Sequence, residues 1–320
     1  MSTANRSTNG IYTTTEELVK LRQYAHELDL SARRRSQSML AGNVRTRYRG
    51  RGMEFAEVRS YQAGDDIRTI DWRVTARTQK PYTKLFQEER ERPVFVMLDQ
   101  RSPMFFGSQQ QLKSVYAAYI ATLVGWAASA NNDRIGALIF GDKEQADIRP
   151  KNSKHALMEL INRVNHFNHQ LQQPIPSNSI INIEAMLQEV RRIARPGSLL
   201  VLISDFHDID EGCAETLTML SKHSDVNLFH VIDPLETSLP KRGVFTISNS
   251  KQRMSIDAAA VREDYAYVIS CRRKLLQAQC LSAGISYVNA TTKIPATEML
   301  LTIHGAKRNK KHRQALGNVS

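Results

Sequence analysis

Apolar residues in this chain fall into two kinds of run. Val94-Phe95-Val96-Met97-Leu98 is unbroken and is closed by Asp99. Leu199-Leu200-Val201-Leu202-Ile203-Ser204 repeats the form and is closed by Asp205. Runs so short and so apolar suit strands covered on both faces, as in a parallel sheet with helices on each side. Elsewhere the apolar spacing changes to three and four. Gln111 to Ala130 puts Val115, Ala118, Tyr119, Thr122, Leu123 and Trp126 on one helical period, and Ser153 to Phe167 does the same with Leu157, Leu160, Ile161 and Val164. Asn182 to Ala194, stopped at Arg195-Pro196-Gly197, also reads as a helix, as do Ile209 to Lys222, Ala258 to Ala283 and Pro295 to Ile303. Arg134 to Phe140, Val226 to Ile232 and Ile285 to Val288 read as strands, Glu144 to Ile148 as an edge strand, and Lys241 to Ile256 as a hairpin. The alternation predicts an α/β domain over residues 93–304, with an open, mostly parallel sheet wrapped by helices. Ligands of such sheets gather at the carboxyl ends of the strands, which makes Asp99 and Asp205 the first candidate site residues.

The pattern is different before residue 93. Met1 to Thr13 reads as a polar, disordered lead, and Thr14 or Thr15 caps a helix carrying Leu18, Leu21, Ala25 and Leu28; together they make an N-terminal segment, residues 1–45. Residues 46–92 read as a small β-containing subdomain. Its Gly42-to-Gly52 approach is rich in Gly and Arg, Gly64-Asp65 signals a turn, and Ile70 and Trp72 alternate about Asp71 as in a short strand. Val74 to Phe86 continues as strand and turn, broken at Pro81. Glu57, Asp65, Asp66 and Asp71 interleave with Arg59, Arg68, Arg73 and Arg77. Guanidinium groups match carboxylates in two-bond pairs, so this is read as an ion-pair lattice rather than a catalytic cluster. His166 to Gln170 reads as a solvated loop; two histidines three apart lack an evident third metal ligand.

Composition narrows the classes. The chain has 320 residues, 41% of them hydrophobic, enough for one large core and a smaller unit. No apolar run approaches the roughly 20 residues of a membrane span. The first ten residues lack the apolar core of a signal peptide, so the expected location is the cytoplasm. Cys213, Cys271 and Cys280 have neither metal-type spacing nor the even count of a disulfide framework. A net charge of +12 favours acidic partners without choosing among them. The run from Lys307 to Arg313 within residues 305–320 is read as a solvated, disordered basic tail.

One stretch carries a resemblance. Arg51-Gly52, Glu54-Phe55, Val58-Arg59, Tyr61, Gly64-Asp65-Asp66, Arg68, Ile70-Asp71-Trp72 and Ala76-Arg77 resemble the signature of the bacterial domain-of-unknown-function-58 family. The remainder resembles that family's von Willebrand factor A-like domain. The resemblance implies a Rossmann-like sheet, partnership with a MoxR-type AAA+ ATPase and with other A-like domains, and a part in assembling, activating or inserting cofactors into client proteins without catalysis. It also implies a metal-ion-dependent adhesion site, in which an Asp-x-Ser-x-Ser turn, a distant threonine and a later aspartate hold Mg2+ or Mn2+ through oxygen. Asp99 and Asp205 match the two aspartates. Arg101 and Pro103 stand where the serines belong, Ser102 is out of register, and Ile180-Ile181 stands near the threonine position.

A fixed guanidinium repels a nearby divalent cation, by roughly 4 kcal/mol per pair of unit charges 4 Å apart at an effective dielectric of 20. The expectation is therefore a degenerate site without cofactor, Arg101 bridging Asp99 and Asp205 in place of the ion; the alternative is a weak metal site of Asp99, Ser102 and Asp205. Asp99, Arg101, Ser102, Phe105, Phe106 and Asp205 form the expected docking face. Two other functions compete. A metal-dependent phosphoesterase would use Asp205-Phe206-His207-Asp208-Ile209-Asp210, although Asp208 and Asp210 also suit a helix start. Nucleic-acid binding would use the basic segments, but few aromatics accompany them and no stable nucleic-acid partner is expected.

Overall fold

The computed structural model describes residues 10–30, 53–62, 65, 67–88, 93–152, 154–172, 181–248 and 253–305. The polar lead through residue 9, the Gly- and Arg-rich loop, Gly64, Asp66, residues 173–180 and the basic tail lie outside them. The chain divides into two units: residues 35–91, and residues 1–34 with 92–320.

In the small unit, β1 (Met53–Ser60) pairs antiparallel with β2 (Tyr82–Glu88), with a register shift between Phe55 and Glu57. Trp72 does not continue a strand. Asp71 accepts hydrogen bonds from the backbone N–H groups of Arg73 and Val74 at 3.0 and 3.2 Å and so caps a helix, α2 (Trp72–Thr78). Local capping chemistry thus overrides a two-residue alternation. Trp72 lies 68% exposed on that helix. Arg59 pairs with Asp65 at 2.7 Å, and Asp65 also accepts from the N–H of Gln62, closing the turn predicted there.

The large unit is built on a six-stranded sheet. Its strands are β3 (Val94–Asp99), β4 (Ile135–Phe140), β5 (Gln145–Lys151), β6 (Leu199–Ser204), β7 (Asp225–Ile232) and β10 (Ser286–Thr291), in the order β10-β7-β6-β3-β4-β5. All neighbours are parallel except β5, the edge strand, which runs antiparallel to β4. The unbroken apolar runs of β3, β4 and β6 are explained by burial on both faces. Val94, Val96, Leu98, Val201 and Ile203 enter one core with α3 (Lys113–Ala130), α4 (Lys154–Gln170) and α9 (Ala296–His304). Phe95, Met97, Leu200 and Leu202 enter the other with α5 (Ile183–Ile193), α6 (Glu211–His223) and the end of α8 (Ala258–Ser282). The remaining elements are α7 (Pro234–Thr237) and a separate hairpin of β8 (Val244–Ser248) and β9 (Arg253–Asp257).

The N-terminal helix α1 (Thr15–Lys20), capped by Thr14 in a box with Glu17, is not a segment apart: Leu18 is fully buried in the first core, and its carbonyl accepts from the Trp126 indole at 3.1 Å. His166 and His169 lie inside α4 rather than in a loop; the ring of His169 bonds the carbonyl of Thr13. No helix among the described residues is long and apolar enough to cross a membrane.

Candidate functional site

The parallel strands end on one lip of the sheet, and four of them bring an aspartate there: Asp99 is the last residue of β3, Asp142 lies two residues past β4, and Asp205 and Asp233 directly follow β6 and β7. The chain leaves β3 toward β4 on one side, while β6 pairs on its other side, so Asp99 and Asp205 flank the point where strand order reverses. Crevices at such points are the usual ligand sites of open α/β sheets.

Here two buried side-chain cations occupy the lip. Arg101 is only 1% exposed. Its Nε donates to Asp99 Oδ1 at 3.0 Å and its Nη2 to Asp99 Oδ2 at 2.7 Å. Nη1 and Nη2 donate to the two carboxylate oxygens of Asp208 at 2.6 and 2.9 Å, and Nη1 also reaches the carbonyl of Ile181 at 2.9 Å. Those bonds use all five N–H groups of a guanidinium. Its face lies 5.3 Å from the centre of the Phe140 ring. The expected bridge therefore forms, but to Asp208 instead of Asp205. Asp208 is free to take this role because Asp210, not Asp208, caps α6 by accepting from the N–H of Cys213.

Asp205 belongs to the second cation. Lys113, first residue of α3, donates through Nζ to Asp205 at 2.8 Å and to Glu236 of α7 at 2.5 Å, with the Phe106 ring centre 5.9 Å away. A positive side chain at a helix N-terminus opposes the helix dipole, so the two carboxylates must outweigh both that and desolvation. His207 completes the group: its Nδ1 lies 2.8 Å from Asp205 Oδ1. Phe206 between them takes a left-handed φ of 49°, a costly conformation for an aromatic residue, and its N–H donates to Ser204 Oγ. Ser204 Oγ in turn donates to Asp99 at 2.7 Å, linking the two centres.

The charges respond accordingly. Burial pushes the Asp99 carboxyl above its ordinary range, against the pull of Arg101 and Ser204. Burial opposes the charges of Arg101 and Lys113, but their carboxylate partners prevail and both stay firmly protonated. Burial works against Asp205 too, yet His207 and Lys113 hold its carboxyl well below the usual range. His207 is raised: burial lowers it, and Asp205 more than compensates. In β7, edge-on to the Phe206 ring at 6.0 Å, His230 is lowered to about 4 by burial; its ring bonds the Tyr287 hydroxyl at 2.7 Å.

Of the other predicted residues, Ser102 donates its N–H and hydroxyl to Asp142. Phe105 stacks on Tyr12 at 5.6 Å, and Phe106 is 38% exposed. The oxygen ligands a divalent ion would need are thus already engaged by Arg101, Lys113 and Asp142, and the residues present do not fit a metal-ion-dependent adhesion site. Among the described residues, no group of three or more His, Cys, Asp or Glu could hold a metal ion. Sequence reasoning missed Lys113, Glu236 and Ser204. The aspartate recurring at the ends of four strands was the available signal, since four carboxylates on one lip require buried donors.

Residues 57–274 match the family described as "Protein of unknown function DUF58". "Uncharacterized protein Rv1480" of Mycobacterium tuberculosis is 25% identical over 261 residues, which is 79% of this chain and 79% of that protein. "Uncharacterized protein YeaD" of Bacillus subtilis is 32% identical over 81 residues, 25% of this chain and 20% of that protein. The crystal structure of conserved hypothetical protein BatB from Bacteroides thetaiotaomicron covers 66% of this chain and 97% of its own at 13% identity and a TM-score of 0.41, too slight a likeness to carry an argument.

Proposed function

This chain belongs to the DUF58 family, and from that premise we propose that it is a non-catalytic docking module for a MoxR-type AAA+ ATPase, acting in the cytoplasm on the assembly, activation or cofactor loading of client proteins. In this reading its large unit is a von Willebrand factor A-like domain whose recognition lip is locked from within, with no divalent ion. The supporting observation is the complete use of the Arg101 guanidinium by Asp99, Asp208 and Ile181. A buried cation with no free donor fixes the geometry of the lip and repels a second cation. It offers nothing to a partner, and neither does the fully buried Asp99. Recognition falls instead to the exposed groups beside them, Phe106 and His207.

Binding of the MoxR-type ATPase from the same organism to the immobilised chain tests the proposal. Affinity should be unchanged by EDTA and should fall at least about tenfold, or 1.4 kcal/mol, in Phe106→Ala or His207→Ala. Loss of binding in EDTA, or full binding by both variants, would overturn it. The Asp205–His207 contact is the one feature favouring a hydrolase, because a carboxylate can orient an imidazole as a general base. Turnover of a phosphate monoester, abolished by His207→Ala, would establish that reading instead.

A further inference from the structure

Helix α8 runs for 25 residues, about 37 Å at 1.5 Å per residue, yet buries only Ala258, Leu276 and Cys280. Part of its exposed surface is apolar. Val268, Cys271, Leu275 and Ala278 recur at spacings of three and four, with Tyr267 and Leu281 alongside. Tyr267 is 71% exposed, Val268 48%, Leu275 61% and Leu281 79%. An apolar seam with heptad spacing on a half-buried helix is the pattern of a helix that pairs. Solvated helix faces do not ordinarily carry it.

Charge identifies the partner. The exposed acids Glu263 and Asp264 lie on the N-terminal half of α8, and the exposed bases Arg272 and Lys274 lie on the C-terminal half. A second α8 laid antiparallel, with its two-fold axis near Val268, brings Glu263 of one copy to Lys274 of the other and Asp264 to Arg272. Both pairs are then made twice, and a parallel arrangement would set like against like. A two-fold interface presents the same patch on both sides; in this register the exposed charges are complementary to their own reverse, Val268 meets Val268 of the other copy, and Leu275 meets the half-buried Val261.

We propose that α8 is a self-association surface through which two copies of this chain pair antiparallel. It is independent of the lip and of any ATPase bound there.

Two charge-reversed chains test this. In Glu263→Lys/Asp264→Lys the exposed flank of α8 becomes all basic, and in Arg272→Glu/Lys274→Glu all acidic. In sedimentation equilibrium the native chain should be dimeric at high micromolar concentration. Each reversed chain alone should be monomeric, and their equimolar mixture should form a heterodimer. Cys271 is the one exposed cysteine, Cys213 and Cys280 being buried. A short bismaleimide should therefore cross-link the native chain and the mixture, but neither reversed chain alone. The altered residues are exposed, so unchanged circular dichroism is expected in both. A monomeric native chain, or reversed chains that fail to pair with each other, would overturn the proposal. A dimer insensitive to Val268→Gln and Leu275→Gln would do the same.

Discussion

Replacing Arg101 with methionine should show whether the guanidinium holds the lip together. The substitution keeps an unbranched side chain but leaves Asp99 fully buried, with only the Ser204 hydroxyl and the Arg101 backbone N–H as donors. Removing one partner of a buried pair costs about 3–5 kcal/mol, mostly because the other charge stays desolvated. Asp208 is partly exposed and regains water, so we expect about 4 kcal/mol, mainly from Asp99. Asp99→Asn on the same background removes the stranded charge while keeping the Ser204 bond, and should return about 2 kcal/mol. The sign with pH follows from Asp99. Its carboxyl is already raised by burial, and loss of Arg101 raises it further. A carboxyl with a raised folded pKa is favoured in its neutral form, so its penalty grows as pH climbs above the unfolded value and shrinks as pH falls toward it. The deficit of Arg101→Met should therefore be smaller at pH 5 than at pH 7. Urea unfolding of the native chain, both single variants and the double variant at the two pH values measures all of this. A deficit under about 1 kcal/mol, or none recovered by Asp99→Asn, would refute the reasoning.

Arg101→Ser places a hydroxyl where the guanidinium stands, and Mn2+ should raise the unfolding midpoint of that variant while leaving the native chain unmoved; a shift in the native chain would reverse the account of the lip. Lys113→Met should cost about 3 kcal/mol by stranding Asp205 and Glu236, with part regained by adding Glu236→Gln, as read by urea unfolding. His230, lowered to about 4, favours the fold only while neutral, so stability should fall as pH drops from 6.5 toward 4, by about 2–3 kcal/mol, and His230→Gln should flatten that slope. Gly136→Val should destabilise by about 1–3 kcal/mol, since a Cβ there would lie 2.8–2.9 Å from Pro150, Ile148 and Phe95; an unchanged midpoint would contradict the packing.

The layered sheet was legible because burial on both faces writes itself as unbroken apolar runs, and the flanking helices because one-sided burial writes itself as a period. Elements that owe their form to a single cap were not. Nothing in the spacing of Ile70 and Trp72 distinguishes a strand from a helix start, and the bonds from Asp71 to the next backbone N–H groups decide it. At the lip, the carboxylates were visible and their partners were only half so. Arg101 stood out because it displaces a hydroxyl from a recognisable turn. The choice of Asp208 over Asp205 depends on the left-handed turn at Phe206, which no residue type announces. Lys113 was invisible as a site residue because, in sequence, a lysine beginning a helix looks like surface. Yet a lysine is poorly placed there by the dipole, and Asp205 and Asp233 both end strands that deliver carboxylates to that same lip. Adverse placement of a cation and a surplus of buried anions answer one another: Lys113 is held between Asp205 and Glu236 and Arg101 between Asp99 and Asp208, so that each buried cation is shared by two carboxylates and each of the four carboxylates has a cationic partner.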